Sequence, residues 1–81
     1  MKARVYVALK ETVLDPQGQT ICSALHTLGY REIQDVRQGK YFDIRLDELP
    51  PEEALKRLEE IADRVLANPV IEEYRVELLE E

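Results

Sequence analysis

The spacing of the apolar residues changes repeatedly along this chain, and the order of those spacings constrains the fold more than any other feature. Val5, Val7 and Leu9 alternate with their neighbours over residues 4–10, which predicts a strand with one buried face. A spacing of three and four then places the apolar residues of 21–28 on one side of a helix.

The second half of the chain repeats this order. Alternation returns at Phe42, Ile44 and Leu46 and predicts another strand. Residues 50–69 follow with a continuous apolar stripe opposite a charged face, which predicts a helix that begins near a proline and ends at an Asn-Pro pair. Residues 72–79 alternate again and predict the last strand.

The segment between the first helix and Phe42 is less regular. Gly29 suits the end of the first helix, and residues 30–36 read as the first arm of a hairpin that turns at Arg-Gln-Gly-Lys. Ile33 and Val36 are three apart and cannot share one face of an ideal strand without a bulge. We therefore expect an irregularity near Gln34 and Asp35.

The predicted order is strand, helix, strand, strand, helix, strand. It indicates an α+β fold of the ferredoxin-like split β-α-β type (βαββαβ), with a four-stranded antiparallel sheet and two helices on one face. We find no linker or repeat, and we treat residues 1–81 as a single domain.

Charge and composition limit the classes of partner that this chain is expected to bind. The net charge is −6, which disfavours a nucleic-acid partner, and no apolar run is long enough for a signal peptide or a membrane span, so we expect a cytoplasmic protein. One cysteine cannot form an internal disulfide, and one histidine leaves no zinc-type cluster. Since a chain of 81 residues has a thin core, association with another chain is the remaining source of extra stability.

Helices on one face of the sheet would leave the other face bare. That face is predicted to carry a mixture of aromatic, small and charged side chains: Tyr6, Ala8, Tyr41, Asp43 and Arg45. We expect a homodimer or a higher homo-oligomer joined through sheet faces or edges. The alternative is a solvated sheet face, which antiparallel sheets tolerate.

No catalytic constellation is found in the sequence. Cys22 and His26 lie four apart on one predicted helix and could form a nucleophile and base pair, but a lone Cys on a half-buried helix commonly acts as a small apolar residue. No glycine-rich phosphate-binding motif occurs. We assign no catalytic, cofactor-binding or metal-binding residue.

The sequence lacks the residues that other known activities of this fold require. An acylphosphatase-type enzyme would need an arginine and an asparagine around the first loop, an RNA-binding module would need aromatic and basic residues on its central strands, and a heavy-metal carrier would need paired cysteines. A regulatory ligand-binding module and an interaction subunit remain.

An ordered set of motifs resembles one family. LKETVLDPQGQTICSALHTLGY followed by VRQGKYFDIRL is similar to PurS, the small subunit of the phosphoribosylformylglycinamidine (FGAM) synthase complex. The resemblance covers most of the chain. It implies a subunit with no catalytic residues of its own. The complex would convert formylglycinamide ribonucleotide to FGAM for purine biosynthesis, using ATP and ammonia released from glutamine.

The resemblance also implies partners: a large synthetase subunit (PurL-type) and a glutaminase subunit (PurQ-type), which this chain would assemble so that ammonia passes between them. ATP, Mg and glutamine would be used by those subunits, and no cofactor would be bound by this chain. The resemblance also implies that the chain forms dimers.

Two loops are candidates for partner contact. The first contains Asp15, Pro16 and Gly18. The proline restricts the backbone of Asp15 and Pro16, and the glycine lets a neighbouring backbone approach closely. The second contains Arg37, Gly39 and Lys40, with two cations beside a glycine. The alternative for the first loop is an ordinary helix start with Asp15 as its cap, and the alternative for the second is a soluble turn. We expect Gly18→Val and Arg37→Glu to leave the fold and the dimer largely intact and to weaken glutamine-dependent activity.

The rival function is a stand-alone regulatory module of the amino-acid-binding (ACT) type, which shares this topology and also pairs through its sheet. A metabolite that raises the melting temperature of the isolated protein would favour that module. Co-elution with a synthetase and a glutaminase would favour the subunit.

Overall fold

The computed structural model of the chain describes residues 1–80. It consists of three strands, two α-helices and one short π-helical segment. In chain order these are β1 (Lys2–Leu9), α1 (Pro16–Thr27), β2 (Gly39–Arg45), α2 (Pro51–Ile61), the π-helical segment (Ala62–Leu66) and β3 (Glu72–Leu79).

The sheet is antiparallel with the order β2-β1-β3, so β1 is the central strand. Val5 of β1 lies between Phe42 of β2 and Val76 of β3. Because alternate residues of a strand point to opposite faces, this register places the apolar residues of all three strands on one face.

The core lies between that face and the second helix. Val5 and Val7 of β1 and Ala54, Leu58 and Ala62 of the helical stretch are essentially inaccessible to solvent. The helix itself packs mainly on the β3 side of the sheet, so the β2 side has less cover and Phe42 and Ile44 stay half-buried.

The second helix changes its winding before it ends. At Ala62 the chain passes into the π-helical segment, and the Ala67 N–H donates to the Ala62 carbonyl at 2.8 Å, five residues back. The alternating last strand then starts after Asn68 and Pro69, as the sequence predicts. Within this stretch Ala62 is buried and Val65 is 74% exposed.

The α+β class is confirmed, but the prediction of four strands is wrong, since the structure has three. Residues 31–38 are not in a strand, so the predicted hairpin at Arg-Gln-Gly-Lys is also wrong. The physical reason is that Ile33 and Val36 do not alternate. The backbone of this segment instead accepts a hydrogen bond from an α1 side chain and packs against the α1 start.

Helix α1 begins and ends as its sequence predicts. Asp15 is the N-cap and Pro16 the first helical residue. Gly29 has a φ of +102°, and the N–H groups of Gly29 and Tyr30 donate to His26 and Leu25 carbonyls, which is the Schellman arrangement.

The position of α1 differs from the expected one. Within residues 1–80, α1 does not pack extensively on the sheet or on α2, and Gly18 is its only buried residue. The Cα radius of gyration is 16.0 Å, whereas a compact chain of this length is expected to have about 12 Å. The chain is therefore elongated, measuring 48 × 30 × 14 Å, and the two helices do not share one sheet face as a packed layer.

Candidate functional site

The sheet face away from α2, which we call the open sheet face, carries Tyr6 and Ala8 from β1 and Tyr41, Asp43 and Arg45 from β2. Tyr6 and Tyr41 are directly opposite in the register, with ring centroids 6.3 Å apart and planes tilted by 50°. Tyr41 remains 58% exposed. The predicted members of this face are therefore brought together by the β1–β2 pairing.

Two arginines extend this aromatic pair. The Arg4 guanidinium lies 4.6 Å from the Tyr41 ring centroid and donates to Asp43 at 2.8 Å, and that hydrogen bond raises the Arg4 pKa above its ordinary value. From β3, the Arg75 guanidinium lies 4.2 Å from the Tyr6 centroid. The face is thus a row of stacked cations and rings.

Beside the rings the open sheet face is hollow. Ala8 and Gly39 stand opposite each other where the neighbouring register positions carry the two tyrosines. A shallow depression of about 490 Å³ lies over these small residues and over Tyr6, Tyr41 and Arg75. A Cβ at Gly39 would come within 2.9 Å of the Val7 carbonyl oxygen, so the close packing of β1 and β2 favours glycine there.

Residues 10–18 and 36–38 contact each other in an arrangement that we call the α1 clamp. Asp15 at its centre is 4% exposed. Its carboxylate accepts from the Gly18 N–H at 3.0 Å, as an N-cap does, and from the Gln38 N–H at 2.7 Å across the chain. These two hydrogen bonds lower the pKa of the Asp15 carboxyl, because both donors stabilise its charged form. The bond from Gln38 has the larger effect and the bond from Gly18 the smaller.

Arg37 makes a second link in the clamp. Its guanidinium donates to the carbonyl oxygens of Lys10 and Val13, each at 2.9 Å. The side-chain amide nitrogen of Gln38 also donates a hydrogen bond to the side-chain oxygen of Gln17. These contacts fix the segment before β2 against the loop that leads into α1.

Gly18 is required by the clamp for space. A Cβ at this position would overlap the carbonyl oxygen of Val36. The expectation that Gly18→Val leaves the fold intact is therefore wrong for this region. Of the other predicted partner-contact residues, Pro16 and Lys40 are exposed, and the Lys40 ammonium lies 5.7 Å from the Phe42 ring centroid.

Cys22 and His26 do come together, with Sγ and Nε2 3.8 Å apart. The His26 Nε2, however, donates to the Ile33 carbonyl oxygen at 2.6 Å. This ring nitrogen therefore ties the segment after α1 to the helix. The pair has a structural role at this point of the chain.

Sequence reasoning placed the tyrosines correctly and missed their cations. Alternation puts Arg4 on the same side of β1 as Tyr6 and Ala8, but it was not among the predicted residues of this face and its contact with the Tyr41 ring was not foreseen. Arg75 could have been found once β3 was set beside β1. The partners of Asp15 could not be found, because Gln38 lies 23 residues away with no local signal.

The described residues contain neither a metal-binding cluster nor a membrane-spanning helix. Among residues 1–80 there is no group of three or more His, Cys, Asp or Glu side chains arranged to hold a metal ion. No helix in this part of the chain has both the length and the apolar character needed to cross a membrane.

The fold and the site define a small α+β protein with an open, aromatic and arginine-rich sheet face. Comparison with known proteins identifies its family. Residues 2–80 match the family model described as PurS: Phosphoribosylformylglycinamidine (FGAM) synthase. The chain belongs to the PurS family, as its motifs predict.

Individual relatives agree with this assignment. The chain is 46% identical to the Phosphoribosylformylglycinamidine synthase subunit PurS of Bacillus subtilis, over 98% of this chain and 93% of that protein. It is 41% identical to a solved Methanocaldococcus jannaschii PurS, described as one of the subunits of formylglycinamide ribonucleotide amidotransferase in the purine biosynthetic pathway. That match has a TM-score of 0.83 and covers 98% of both chains.

A third similar structure is described as PurLQS from Thermotoga maritima. It is 29% identical to this chain, with a TM-score of 0.86, and the match covers 96% of this chain and 95% of that one. These similarities do not favour the stand-alone regulatory module.

Proposed function

We propose that this chain is the non-catalytic PurS subunit of a glutamine-dependent FGAM synthase and that it assembles a synthetase and a glutaminase subunit. The observation that carries this proposal is the full-length match to the PurS family together with the similarity to a chain of a PurLQS structure. ATP, Mg and glutamine are then used by the other two subunits.

Assembly has a physical purpose in such a reaction. Ammonia released into water is diluted and protonated before it reaches a distant acceptor. Holding the ammonia source against the acceptor site replaces a bimolecular encounter by transfer within one particle, which raises the effective concentration. The chain's contribution is therefore positioning.

The proposal is tested by reconstitution. The synthetase and glutaminase subunits of the same organism are purified and assayed for FGAM formation with either glutamine or ammonium chloride as the nitrogen source. We expect this chain to stimulate the glutamine reaction strongly and the ammonia reaction little. Gel filtration with glutamine and nucleotide should show co-elution of all three chains.

Glutamine-dependent activity that is equal with and without this chain, or failure of the three chains to co-elute, would refute the assembly role. Equal stimulation of both nitrogen sources would place the effect on the synthetase alone. As a matched test of the ACT-type alternative, a panel of amino acids should leave the melting temperature of the isolated chain unchanged.

We also propose that the chain forms a homodimer. Its elongated shape supports this, since the radius of gyration of 16.0 Å exceeds the value of about 12 Å expected for a compact chain of this length. A small domain with this little internal packing gains stability from a second copy. Sedimentation equilibrium at micromolar concentration should give the dimer mass, and a monomer would count against the proposal.

A further inference from the structure

The open sheet face is net positive, whereas the whole chain has a net charge of −6. The strand register places four basic and three acidic side chains on this face: Lys2, Arg4, Arg45 and Arg75, with Asp43, Glu73 and Glu77. Complementary charges across an interface favour association and orient the partner. An acidic partner is therefore repelled by most of this chain but not by this face.

The central side chains of this face are held in place before a partner binds. The Arg75 guanidinium donates to Glu77 at 3.2 Å and lies over the Tyr6 ring. The Arg4 guanidinium donates to Asp43 at 2.8 Å. Binding here immobilises few additional side chains, so less conformational entropy is lost. Tyrosine and arginine are also among the residue types that contribute most to binding at interfaces.

The same two arginines make the rings a poor platform for a nucleic-acid base. The Arg75 guanidinium lies 4.2 Å from the Tyr6 centroid and the Arg4 guanidinium 4.6 Å from the Tyr41 centroid. A base binds such a platform by stacking on a free ring face, and here a guanidinium already covers one face of each ring. The net charge of −6 also repels a phosphate backbone. A protein is therefore the favoured occupant.

The open sheet face has a basic end and a hollow end. At the basic end Lys2 and Arg45 are directly opposite each other, and within residues 1–80 neither of them forms an ion pair. At the hollow end the depression of about 490 Å³ lies over Ala8 and Gly39. The two ends are six positions apart along β1, which is about 20 Å at roughly 3.4 Å per residue.

The width of the sheet limits the shape of the occupant. The sheet has three strands, so its two outer strands lie about 10 Å apart. An α-helix with its side chains has a diameter of about 10–12 Å. The open sheet face therefore fits one helix that lies along β1.

We propose that the open sheet face receives one acidic α-helix of a larger subunit of the FGAM synthase complex. A bulky apolar side chain of that helix fills the hollow over Ala8 and Gly39. Carboxylates about 13 residues further along the helix, which is about 20 Å at a rise of 1.5 Å per residue, pair with Lys2 and Arg45. This inference deepens the proposed function and rests on it.

A second copy of the chain is a poorer occupant of this face. Two open sheet faces stacked about a two-fold axis would bring two net-positive surfaces together, which disfavours their association. The outer side of α2 is acidic, with Glu52, Glu59 and Glu60 exposed. Its contact with the open sheet face of another copy would be head-to-tail and, unless it closed into a ring, would extend into filaments. The homodimer of the proposed function then uses another surface.

Charge reversal at the basic end tests the ion pairs. Lys2→Glu with Arg45→Glu changes two exposed side chains, so circular dichroism and sedimentation equilibrium should show the fold and the homodimer retained. With glutamine and nucleotide present, we expect the dissociation constant for binding to the synthetase and glutaminase to rise at least about tenfold. The matched control, Lys56→Glu with Arg64→Glu, makes the same charge change at exposed positions outside this face and should bind like the parent chain.

Filling the hollow tests the other end of the face. Ala8→Phe places a ring where the apolar side chain of the helix would lie, and aromatic residues suit an exposed strand position. We expect at least about tenfold weaker binding to the larger subunits with an unchanged homodimer mass. Ala8→Ser keeps the hollow and should bind like the parent chain. If Ala8→Phe does not fold, the charge variant above decides the question.

A zero-length cross-link identifies the helix and the subunit that contains it. In the assembled complex a carbodiimide joins lysine amines to carboxylates with which they are in contact. Mass spectrometry should find Lys2 joined to a glutamate or aspartate of a helix in the synthetase or the glutaminase. Lys56, which is exposed on α2, is the matched control and should show no such link.

Three results would overturn the proposal. Normal binding by both the charge variant and Ala8→Phe would exclude the open sheet face from the contact. Loss of the homodimer in these variants would assign the face to a second copy. Equal weakening in the Lys56 and Arg64 control would trace the effect to net charge alone. If the parent chain itself does not assemble, the proposed function fails as well, whereas a parent and variants that all assemble refute this inference only.

Discussion

The two α-helices of this chain are similar in length and opposite in how they are stabilised. Helix α2 carries charges on its outer side, buries Ala54 and Leu58 completely, and packs on the sheet. Helix α1 carries no charged residue, buries only Gly18, and is attached through the α1 clamp at its start and by His26 near its end.

An apolar stripe therefore does not by itself specify which surface a helix covers. Both helices have a stripe, but only α2 has a charged opposite side, which is suited to water. The opposite side of α1 carries no charge, so this helix lacks the charged, water-facing side that α2 has. Four changes to the sequence test this contrast, beginning with the largest expected effect.

Truncating Leu58 of α2 should lower the free energy of unfolding more than the other three changes. Leu58→Ala leaves a cavity at a fully buried site, and the expected loss is about 2–5 kcal/mol of unfolding free energy. Urea unfolding followed by circular dichroism measures it. Val65→Ala, at a 74% exposed site of the adjoining π-helical segment, should change stability by no more than about 0.5 kcal/mol. Equal losses in both variants would contradict the assignment of the core to α2.

Gly18→Ala tests the close approach in the α1 clamp. The new Cβ would overlap the Val36 carbonyl oxygen, so backbone must move, and we expect a loss of about 1–3 kcal/mol. Ser23→Ala, on the exposed side of the same helix, is the matched control and should be close to neutral. Hydrogen exchange should also accelerate in residues 36–38, and unchanged exchange there would show that the clamp does not depend on this glycine.

Arg37→Gln removes the two carbonyl contacts of the clamp. We expect a loss of about 1 kcal/mol, because exposed hydrogen bonds of this kind exchange with water at small net cost. Arg31→Gln changes charge equally at an exposed position of the same segment and serves as the control. If the two variants are equally stable, Arg37 is free for contact with a partner subunit instead.

Asp15→Asn should have its effect in acid. Because the Asp15 pKa is lower in the folded chain than in the unfolded chain, its carboxylate stabilises the fold above the unfolded pKa of about 3.9. That contribution is lost as the pH falls through the lower, folded pKa. Urea midpoints from pH 6 to pH 2.5 should therefore fall less steeply in Asp15→Asn than in the parent chain. Asp63→Asn, at an exposed site, should follow the parent; identical profiles for all three would contradict the role of Asp15.

Much of the candidate site follows from local pattern. Alternation placed Tyr6 and Ala8 on one face, and the pairing of two alternating strands placed Tyr41 and Asp43 beside them. The N-cap at Asp15 followed from the proline at the first helical position. The cations above the rings and the second donor to Asp15 were not predicted, since Arg75 and Gln38 are distant in sequence and meet these residues only through the fold.

Local pattern alone specified the three strands and two α-helices that form, both ends of α1 and the PurS family, because periodicity, caps and motifs are local properties of the chain. The tertiary structure decided that residues 31–38 form no fourth strand and that α1 lies away from the sheet. The reason is that side chains from other parts of the chain form hydrogen bonds with the backbone of this segment and of the adjoining loop. The His26 ring donates to the Ile33 carbonyl oxygen, and the Arg37 guanidinium donates to two carbonyl oxygens of the loop. The Asp15 carboxylate accepts from the backbone N–H of Gln38.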